Sequence, residues 1–173
     1  QFYGIPSRGD VGLTDANDID FQAGAESMLH FVNAVRGGIN LLPGLGALGS
    51  WNIASLEKMV LDAEIAGYVK RCLKPLEFSE ETIAQEIIKK VGPRGSFIQE
   101  EHTFNNFRQE FFQPQIFSRD NYTIWEKEEK KEIKIKAYEK VLEILRNFEA
   151  PFLDKSIRKD LCQYCEKKML GPY

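Results

Sequence analysis

The chain has 173 residues, of which 43% are hydrophobic and 28% charged, and a formal net charge of -3. This composition predicts a globular protein and excludes wholesale disorder. The slight acidity argues against nucleic acid as a partner, since nucleic-acid binding favours a basic face. No apolar run is long enough to cross a bilayer, and the odd number of cysteines suits a reducing compartment, so we expect a cytoplasmic protein without membrane contact.

The first part of the chain predicts one βαβ unit. Residues 1–6 are typical of the end of a strand, with no initiator methionine before them. A loop then leads into a helix over residues 21–35, with Asp20 as its expected N-cap. A second strand over residues 39–43 ends in the glycine-rich loop 44–49. Ligands bind beyond the carboxyl ends of the strands in such units, so we expect any chemistry in the two loops.

The second part of the chain is predicted to be helical. Ser55 is the expected N-cap of a helix that runs to about Leu73 and carries apolar side chains on two sides. Ser79, followed by two glutamates, is typical of another helix start, and Gly92-Pro93 ends that helix. We expect this helix to bury one stripe of side chains: Ile83, Ile87, Ile88 and Val91.

Further helical segments are predicted toward the carboxyl end. Residues 96–112 are expected to be partly helical. A long helix is expected from about Tyr122 or Trp125 to Phe148, and the charge run 126–132 is expected to be a solvated helix surface. Asp154 is the expected cap of a last helix to about residue 169. The segment 96–112 has phenylalanines as its expected apolar anchors: Phe97, Phe104, Phe107, Phe111 and Phe112.

Several separated blocks of the chain form a recognisable pattern. In chain order they are Tyr3-Gly4-Ile5-Pro6, Thr14-Asp15-Ala16, Asp20-x-Gln22-Ala23-Gly24-x-Glu26, Glu57-Lys58-x-Val60-Leu61-Asp62-Ala63-Glu64, the segments 79–84 and 87–92, His102-Thr103, Trp125 and Pro151-x-x-Asp154. Together they resemble the trimethylamine:corrinoid methyltransferase family. The resemblance implies an α/β fold, the carboxyl-terminal fragment of a (β/α)8 TIM-type barrel, mainly helical as an isolated chain. Residues 1–54 would be the late barrel βαβ unit with two active-site loops, and residues 55–173 the helical carboxyl-terminal part.

The resemblance also implies a reaction. The family moves a methyl group from a methylated amine to the cobalt of a separate corrinoid protein, so the corrinoid (cobalamin) is not bound directly but supplied by a partner. Trimethylamine-specific members carry pyrrolysine just before the Ser/Thr-Asp-Ala step, where this chain has Leu13. Leu13 therefore implies the branch that demethylates quaternary amines such as glycine betaine. Such an amine leaves as a neutral group, so the protein need only hold the cation, aim one methyl and exclude water.

Other side chains are candidates for the amine site, each with a structural alternative. Asp15, in the first loop, could face the ammonium or hold the turn. Arg8 could pair with a betaine carboxylate or be a surface residue. Tyr3 and Trp51 could be walls of an aromatic cage or core residues. His102 could lie near the barrel mouth or be structural.

The glycine-rich loop has three possible readings. Gly44, Gly46 and Gly49 could let the corrinoid approach the backbone closely, or could simply make the turn. The run also matches the dinucleotide pattern Gly-x-Gly-x-x-Gly, but the acidic partner of that pattern is missing. Cys162-x-x-Cys165 lies in a predicted helix without further ligands, so we predict no metal site.

Two function classes remain open. As an enzyme, the isolated chain is expected to be inactive because it lacks most of the barrel. The alternative is a non-catalytic helical interaction module, after Ala54, that docks a corrinoid protein or a partner subunit. An open cleft at the glycine loops would favour the enzyme, and burial of the loops would favour the module. Unpaired strand edges also predict a homo-oligomer or rearranged strands.

Overall fold

A computed structural model divides the chain into two compact units, Gln1–Leu142 and Glu143–Tyr173. It describes residues 2–127, 130–148 and 153–169. These residues are mostly helical and include one two-stranded sheet. Among them, no helix combines the length and the apolar character needed to cross a membrane. The mainly helical content agrees with the expectation for a piece of a larger fold.

Two segments near the amino end pair in parallel. Residues 7–11 pair with residues 41–43 through backbone hydrogen bonds of 2.8 to 3.1 Å, with a parallel bridge between them. The strand predicted over residues 1–6 is wrong, because residues 2–3 form a turn and Pro6 has no N–H to donate. A parallel crossover is therefore present, but its first segment lies in the predicted loop.

The helix between the paired segments is α1, Phe21–Arg36. Asp20 is its N-cap, as predicted, and its carboxylate accepts a hydrogen bond of 2.9 Å from the Ala23 N–H. Phe31 is almost fully buried, and burial of a side chain of this size contributes about 1.5–3 kcal/mol. The main core brings α1 together with the first paired segment and the next long helix: Val11, Phe31, Ala34, Ile65 and Val69.

A short antiparallel hairpin begins within the predicted glycine-rich loop 44–49. Its strands are β1, Ala47–Leu48, and β2, Ile53–Ala54. The sequence does not predict this hairpin, because two-residue strands are too short to show alternation. Three consecutive residues of its turn, Gly49, Ser50 and Trp51, have positive φ, 54°, 52° and 74°. Positive φ is uncommon for residues other than glycine, so the contacts of the turn must hold Ser50 and Trp51 in this conformation.

The next helix is α2, Leu56–Cys72, with Ser55 as its N-cap, as predicted. Of its two apolar sides, only the one that contains Leu61 and Ile65 is buried, whereas Met59 on the other side is exposed. Charged side chains occupy several of the remaining buried positions: Lys58, Asp62 and Glu64. α2 packs against α1 in the same core, so the two predicted parts of the chain share it. Their functional division at residues 54 and 55 stays a prediction.

The helix predicted after Ser79 is divided in two. α3, Glu80–Ile83, and α4, Gln85–Val91, are separated by Ala84, whose φ is 52°. The serine cap is present as predicted. The buried stripe is wrong, since Ile83 and Ile88 are both more than half exposed. An apolar stripe predicts a face that needs cover, but it does not say that the cover comes from the same chain.

The phenylalanine-rich segment contains α5, Glu101–Glu110. Phe112 packs on Tyr68 of α2, with ring centroids 4.8 Å apart. The prediction of core anchors is wrong for the other phenylalanines, which are exposed: Phe97, Phe104, Phe107 and Phe111.

The long helix predicted over residues 122–148 is also divided. α6, Tyr122–Lys127, and α7, Ile133–Arg146, flank Lys130, whose φ is 53°. The interruption falls within the alternating charge run, which has little apolar surface to bind a continuous helix to the core. Two residues of that run, Glu128 and Glu129, lie outside the described residues. Ala137 and Val141 are the buried residues of α7.

The last helix is α8, Lys155–Met169, as predicted. The Asp154 carboxylate accepts a hydrogen bond of 2.8 Å from the Ser156 N–H, so the predicted cap is confirmed. Cys162 and Cys165 lie exposed on this helix.

Candidate functional site

Glu26 of α1 binds the loop that follows the first paired segment. The Glu26 carboxylate accepts hydrogen bonds from the Thr14 hydroxyl at 2.6 Å and from the Asp15 N–H at 2.9 Å. The Gln22 amide donates to its other oxygen at 2.9 Å. These donors, with the Thr14 hydroxyl first, lower the pKa of Glu26 below its ordinary value of 4.5. The carboxylate therefore stays charged and fixes the start of the loop.

The hairpin turn docks on the same loop. Gly49 N–H donates to the Ala16 carbonyl at 2.8 Å, and Ser50 N–H donates to the Thr14 carbonyl at 3.0 Å. The Ser50 hydroxyl also donates to the Asp15 carboxylate. The two predicted loops are thus joined by hydrogen bonds, and a single surface contains residues of both.

A buried ion pair lies at the base of both loops. Lys58 Nζ is 2.7 Å from Asp62 Oδ2, and both side chains are almost inaccessible to solvent. Nζ also donates to the Gly12 carbonyl at 2.5 Å and to the Ser27 hydroxyl at 3.0 Å. On the other side, the Gly46 N–H donates to Asp62 Oδ2 at 2.8 Å. The pair therefore connects α1, α2 and both loops.

Three of the predicted amine-site residues lie on these joined loops. Leu13 is half-buried, the Asp15 carboxylate is exposed, and the Trp51 side chain is 56% exposed. A carboxylate and an indole face are the groups that bind a methylated cation. The loops therefore offer charge, an aromatic surface and an aliphatic contact within one pair of interlocked segments.

The other predicted amine-site residues lie elsewhere. Arg8 is paired with Asp10 at 3.2 Å and is exposed. Tyr3 is 80% exposed and packs edge-on against Phe2, with centroids 5.0 Å apart. His102, at the start of α5, lies 2.8 Å from the Glu81 carbonyl through Nε2. Their proposed contacts with the amine stay predictions, and the structure does not bring them to the joined loops.

The glycines of the second loop have protein atoms beside them. A Cβ at Gly46 would lie 2.7 Å from the Ser55 carbonyl oxygen, and one at Gly44 would lie 2.8 Å from the Val11 carbonyl oxygen. Gly46 and Gly49 are buried. These glycines allow the chain to pack on itself, and the geometry does not support a cradle for a corrinoid there. Their proposed role in facing a corrinoid protein stays a prediction.

The structure does not support nucleotide binding at the glycine run. A dinucleotide fingerprint opens directly into a helix whose N-terminus holds the pyrophosphate. Here β1 lies within the glycine run, between Gly46 and Gly49, and α2 begins only at Leu56. In the described ranges, there is also no cluster of three or more His, Cys, Asp and Glu side chains that could hold a metal ion.

A cavity of about 340 Å³ lies between α1 and α2, beside the buried pair. Most of its lining is apolar, and Asp20, Lys58 and Asp62 are its charged members. None of the predicted amine-site residues lines it. We therefore place the candidate site on the joined loops rather than in this cavity.

Comparison with known proteins decides the family. The sequence profile of Trimethylamine methyltransferase (MTTB) matches residues 1–171. The chain belongs to this family. MTTB-family relatives include the glycine betaine methyltransferase of Desulfitobacterium hafniense (strain Y51), 40% identical over 158 residues, which are 91% of this chain and 33% of that protein.

Other MTTB-family relatives are named for trimethylamine. The trimethylamine methyltransferase MttB of Methanosarcina thermophila is 32% identical over 161 residues, 93% of this chain and 33% of that protein. The MttB of Methanosarcina barkeri (strain Fusaro / DSM 804) is 32% identical over 167 residues, 96% of this chain and 34% of that protein. The chain spans about a third of the length of these relatives. The higher identity to the glycine betaine enzyme supports the betaine-type branch of the MTTB family.

Sequence reasoning did not assign functional roles to Glu26, Ser50, Lys58 and Asp62. A signal was present, since three of the four lie in blocks that carry the family resemblance. Lys58 and Asp62 are also four residues apart in a predicted helix, a spacing at which opposite charges face each other. Their burial and their contacts with the loops arise from the tertiary structure, which the spacing does not describe.

Proposed function

We propose that this chain is the carboxyl-terminal part of a methyltransferase that moves a methyl group from a quaternary amine such as glycine betaine to a corrinoid protein. The observation that carries the proposal is Leu13, a plain aliphatic residue beside Thr14-Asp15-Ala16, together with the identity to a glycine betaine methyltransferase. The corrinoid, supplied by a partner protein, would accept the methyl group. The surrounding (β/α)8 barrel and a cytoplasmic location are part of the same proposal.

The joined loops suit this chemistry. The exposed Asp15 carboxylate and the Trp51 indole can hold a cation, while Leu13 contacts its methyl groups without offering an acid. No acid is needed, because a quaternary ammonium that loses a methyl group becomes a neutral amine. These residues need only orient one methyl group and exclude water.

The proposal is tested by methyl transfer with the full-length protein and a reduced corrinoid protein. We expect transfer from glycine betaine or another quaternary amine and none from trimethylamine. The reaction is followed by the absorbance change of the corrinoid. Transfer from trimethylamine alone would overturn the proposal.

Two matched tryptophan variants test the site. Trp51→Leu keeps apolar bulk but removes the aromatic face, so we expect kcat/KM for the amine to fall about tenfold. Trp125→Leu is the control, because Trp125 lies on α6 beside Tyr122, with ring centroids 5.6 Å apart. Equal losses in the two variants would argue against Trp51 as a wall of the amine site.

The alternative, an interaction module after Ala54, is favoured by a separate observation. Large apolar side chains in that part are exposed, and Gly46 and Gly49 are buried. Phe78 and Phe104 are the most suitable positions to test, at 80% and 69% exposure. If they dock a corrinoid protein, Phe78→Asp and Phe104→Asp in the full-length protein will weaken that binding and leave amine affinity unchanged, as measured by calorimetry.

A further inference from the structure

We infer that the buried pair Lys58–Asp62 positions both loops of the amine site, an inference that rests on the proposed function. Lys58 binds the carbonyl of Gly12, and Asp62 binds the N–H of Gly46. One ion pair on α2 thereby fixes a backbone atom in each loop.

The hydrogen-bond inventory of the pair indicates a positioning role rather than a catalytic one. A lysine ammonium has three N–H donors. Here Nζ meets three partners: the Gly12 carbonyl, the Ser27 hydroxyl and the Asp62 carboxylate. With its donors satisfied and its side chain buried, Lys58 acts on the site through the backbone that it holds.

The first anchored residue, Gly12, directly precedes the site residues of the first loop. Gly12 is followed by Leu13 and then by the Thr14-Asp15 step. Gly12 also packs closely on the pair, since a Cβ there, at φ +69°, would lie 2.8 Å from Asp62 Oδ2. A shift of the pair would therefore move the first loop.

The second anchored atom controls the hairpin. Gly46 precedes β1, and its carbonyl accepts a hydrogen bond of 2.9 Å from the Ser55 N–H, which closes the hairpin at its base. Trp51 lies at the other end of this hairpin, in its turn. Release of Gly46 N–H from Asp62 would therefore loosen the element that carries the indole.

Such an anchor matters for a reaction that depends on orientation. A misplacement of about 1 Å in a positioned reactant can reduce the rate about 100-fold. The pair is thus expected to affect the turnover of the amine while making no contact with it.

The first variant removes the anchor but keeps the core filled. Lys58→Met with Asp62→Leu removes both charges together and keeps apolar bulk, so no unpaired buried charge remains. The Gly12 carbonyl, the Ser27 hydroxyl and the Gly46 N–H lose these partners, so we expect the double variant to be less stable than the original protein. The single variant Asp62→Leu leaves the Lys58 charge buried without its partner and is expected to be the less stable protein.

Glu64 provides a matched control on the same helix. It is also buried, and its Oε1 accepts hydrogen bonds from the N–H groups of Ile116 at 2.8 Å and Phe117 at 3.0 Å. Glu64→Ala removes an anchor from residues 116–117 and leaves the loops of the amine site attached to the Lys58–Asp62 pair.

The first measurement is peptide-resolved hydrogen exchange in the full-length protein, which does not depend on activity. In the double variant we expect amide exchange over residues 12–17 and 44–54 to rise about tenfold or more. In Glu64→Ala the increase should fall near residues 116–117 instead. Unchanged exchange in both loops of the folded double variant would overturn the inference.

The second measurement is kinetic. The double variant, assayed well below its own melting temperature, should lose kcat for glycine betaine, about 10- to 100-fold. Glu64→Ala should lower the melting temperature but retain kcat. If the double variant keeps full kcat, the pair does not position the site. If the original protein transfers no methyl from any amine, the proposed function fails, and the exchange result still decides whether the pair anchors the loops.

Discussion

Glu26 shows how one side chain can organise a loop that it does not belong to. Its two carboxylate oxygens accept hydrogen bonds from Thr14, Asp15 and Gln22. Two blocks that carry the family resemblance, Thr14-Asp15-Ala16 and the segment 20–26, are therefore bonded to each other. The carboxylate of the second block thus holds the hydroxyl and a backbone N–H of the first.

The lowered pKa of Glu26 predicts a dependence of stability on acid. A carboxyl whose folded pKa lies below its ordinary value, 4.5 here, stabilises the fold above that value. The contribution is lost as the pH falls through the lower folded pKa. We expect Glu26→Gln to be less stable than the original at neutral pH and to show a shallower decline below about pH 4.5. Urea unfolding between about pH 7 and about pH 3 measures the stability at neutral pH and the steepness of its decline in acid.

Asp154→Asn is the control for this experiment. The pKa of Asp154 is also lowered, by hydrogen bonds from Ser156, but Asp154 lies at the cap of α8. Its replacement should leave hydrogen exchange of residues 12–17 unchanged, whereas Glu26→Gln should increase it. The same pH dependence in Glu26→Gln and the original would contradict the role of Glu26.

At the scale of elements, two glycines predict opposite effects of the same substitution. Gly46 has φ +85°, and a Cβ there would lie 2.7 Å from the Ser55 carbonyl oxygen, so Gly46→Ala should destabilise by about 1–3 kcal/mol. Gly24 lies within α1 with open space around it, so Gly24→Ala should stabilise by about 0.5–1 kcal/mol. Denaturant unfolding of both variants gives the two signs, and a neutral Gly46→Ala would contradict the packing at the hairpin base.

The elements that the sequence predicts well are those with local signals. α1, α2 and α8 begin at Asp20, Ser55 and Asp154, because a capping side chain bonds to the N–H groups of its own first turn. The interruptions at Ala84 and Lys130 have no such signal, since neither residue favours a positive φ.

The candidate site was predictable only as a pair of loops. End-of-strand reasoning pointed to the two loops, the family resemblance and side-chain chemistry named Leu13, Asp15 and Trp51 as candidates, and the first paired segment was misplaced. The anchors of these loops lie on two helices, and their contacts span 11 to 46 positions of sequence. Tertiary contacts at such separations cannot be derived from the pattern of a single sequence.

At the scale of the whole molecule, many large apolar side chains of the described residues are exposed to solvent. The most exposed large side chains come from several separate segments: Phe2, Tyr3, Phe21, Leu76, Phe78 and Ile98. The predicted homo-oligomer would cover part of this surface, and so would the additional length that the relatives possess.

This surface predicts that the 173-residue chain, studied alone, associates as its concentration rises. Burial of apolar area drives such association, whereas a charge placed among the exposed apolar side chains opposes it. Weak association increases with concentration by mass action, so light scattering over about a hundredfold range of concentration measures the average mass. We expect Phe78→Asp with Phe104→Asp to reduce the association, while Gln115→Asp, at an exposed polar position, leaves it unchanged. A chain that stays monomeric throughout that range would contradict the prediction. The exposed apolar side chains of α3, α4 and α5 would then not drive association.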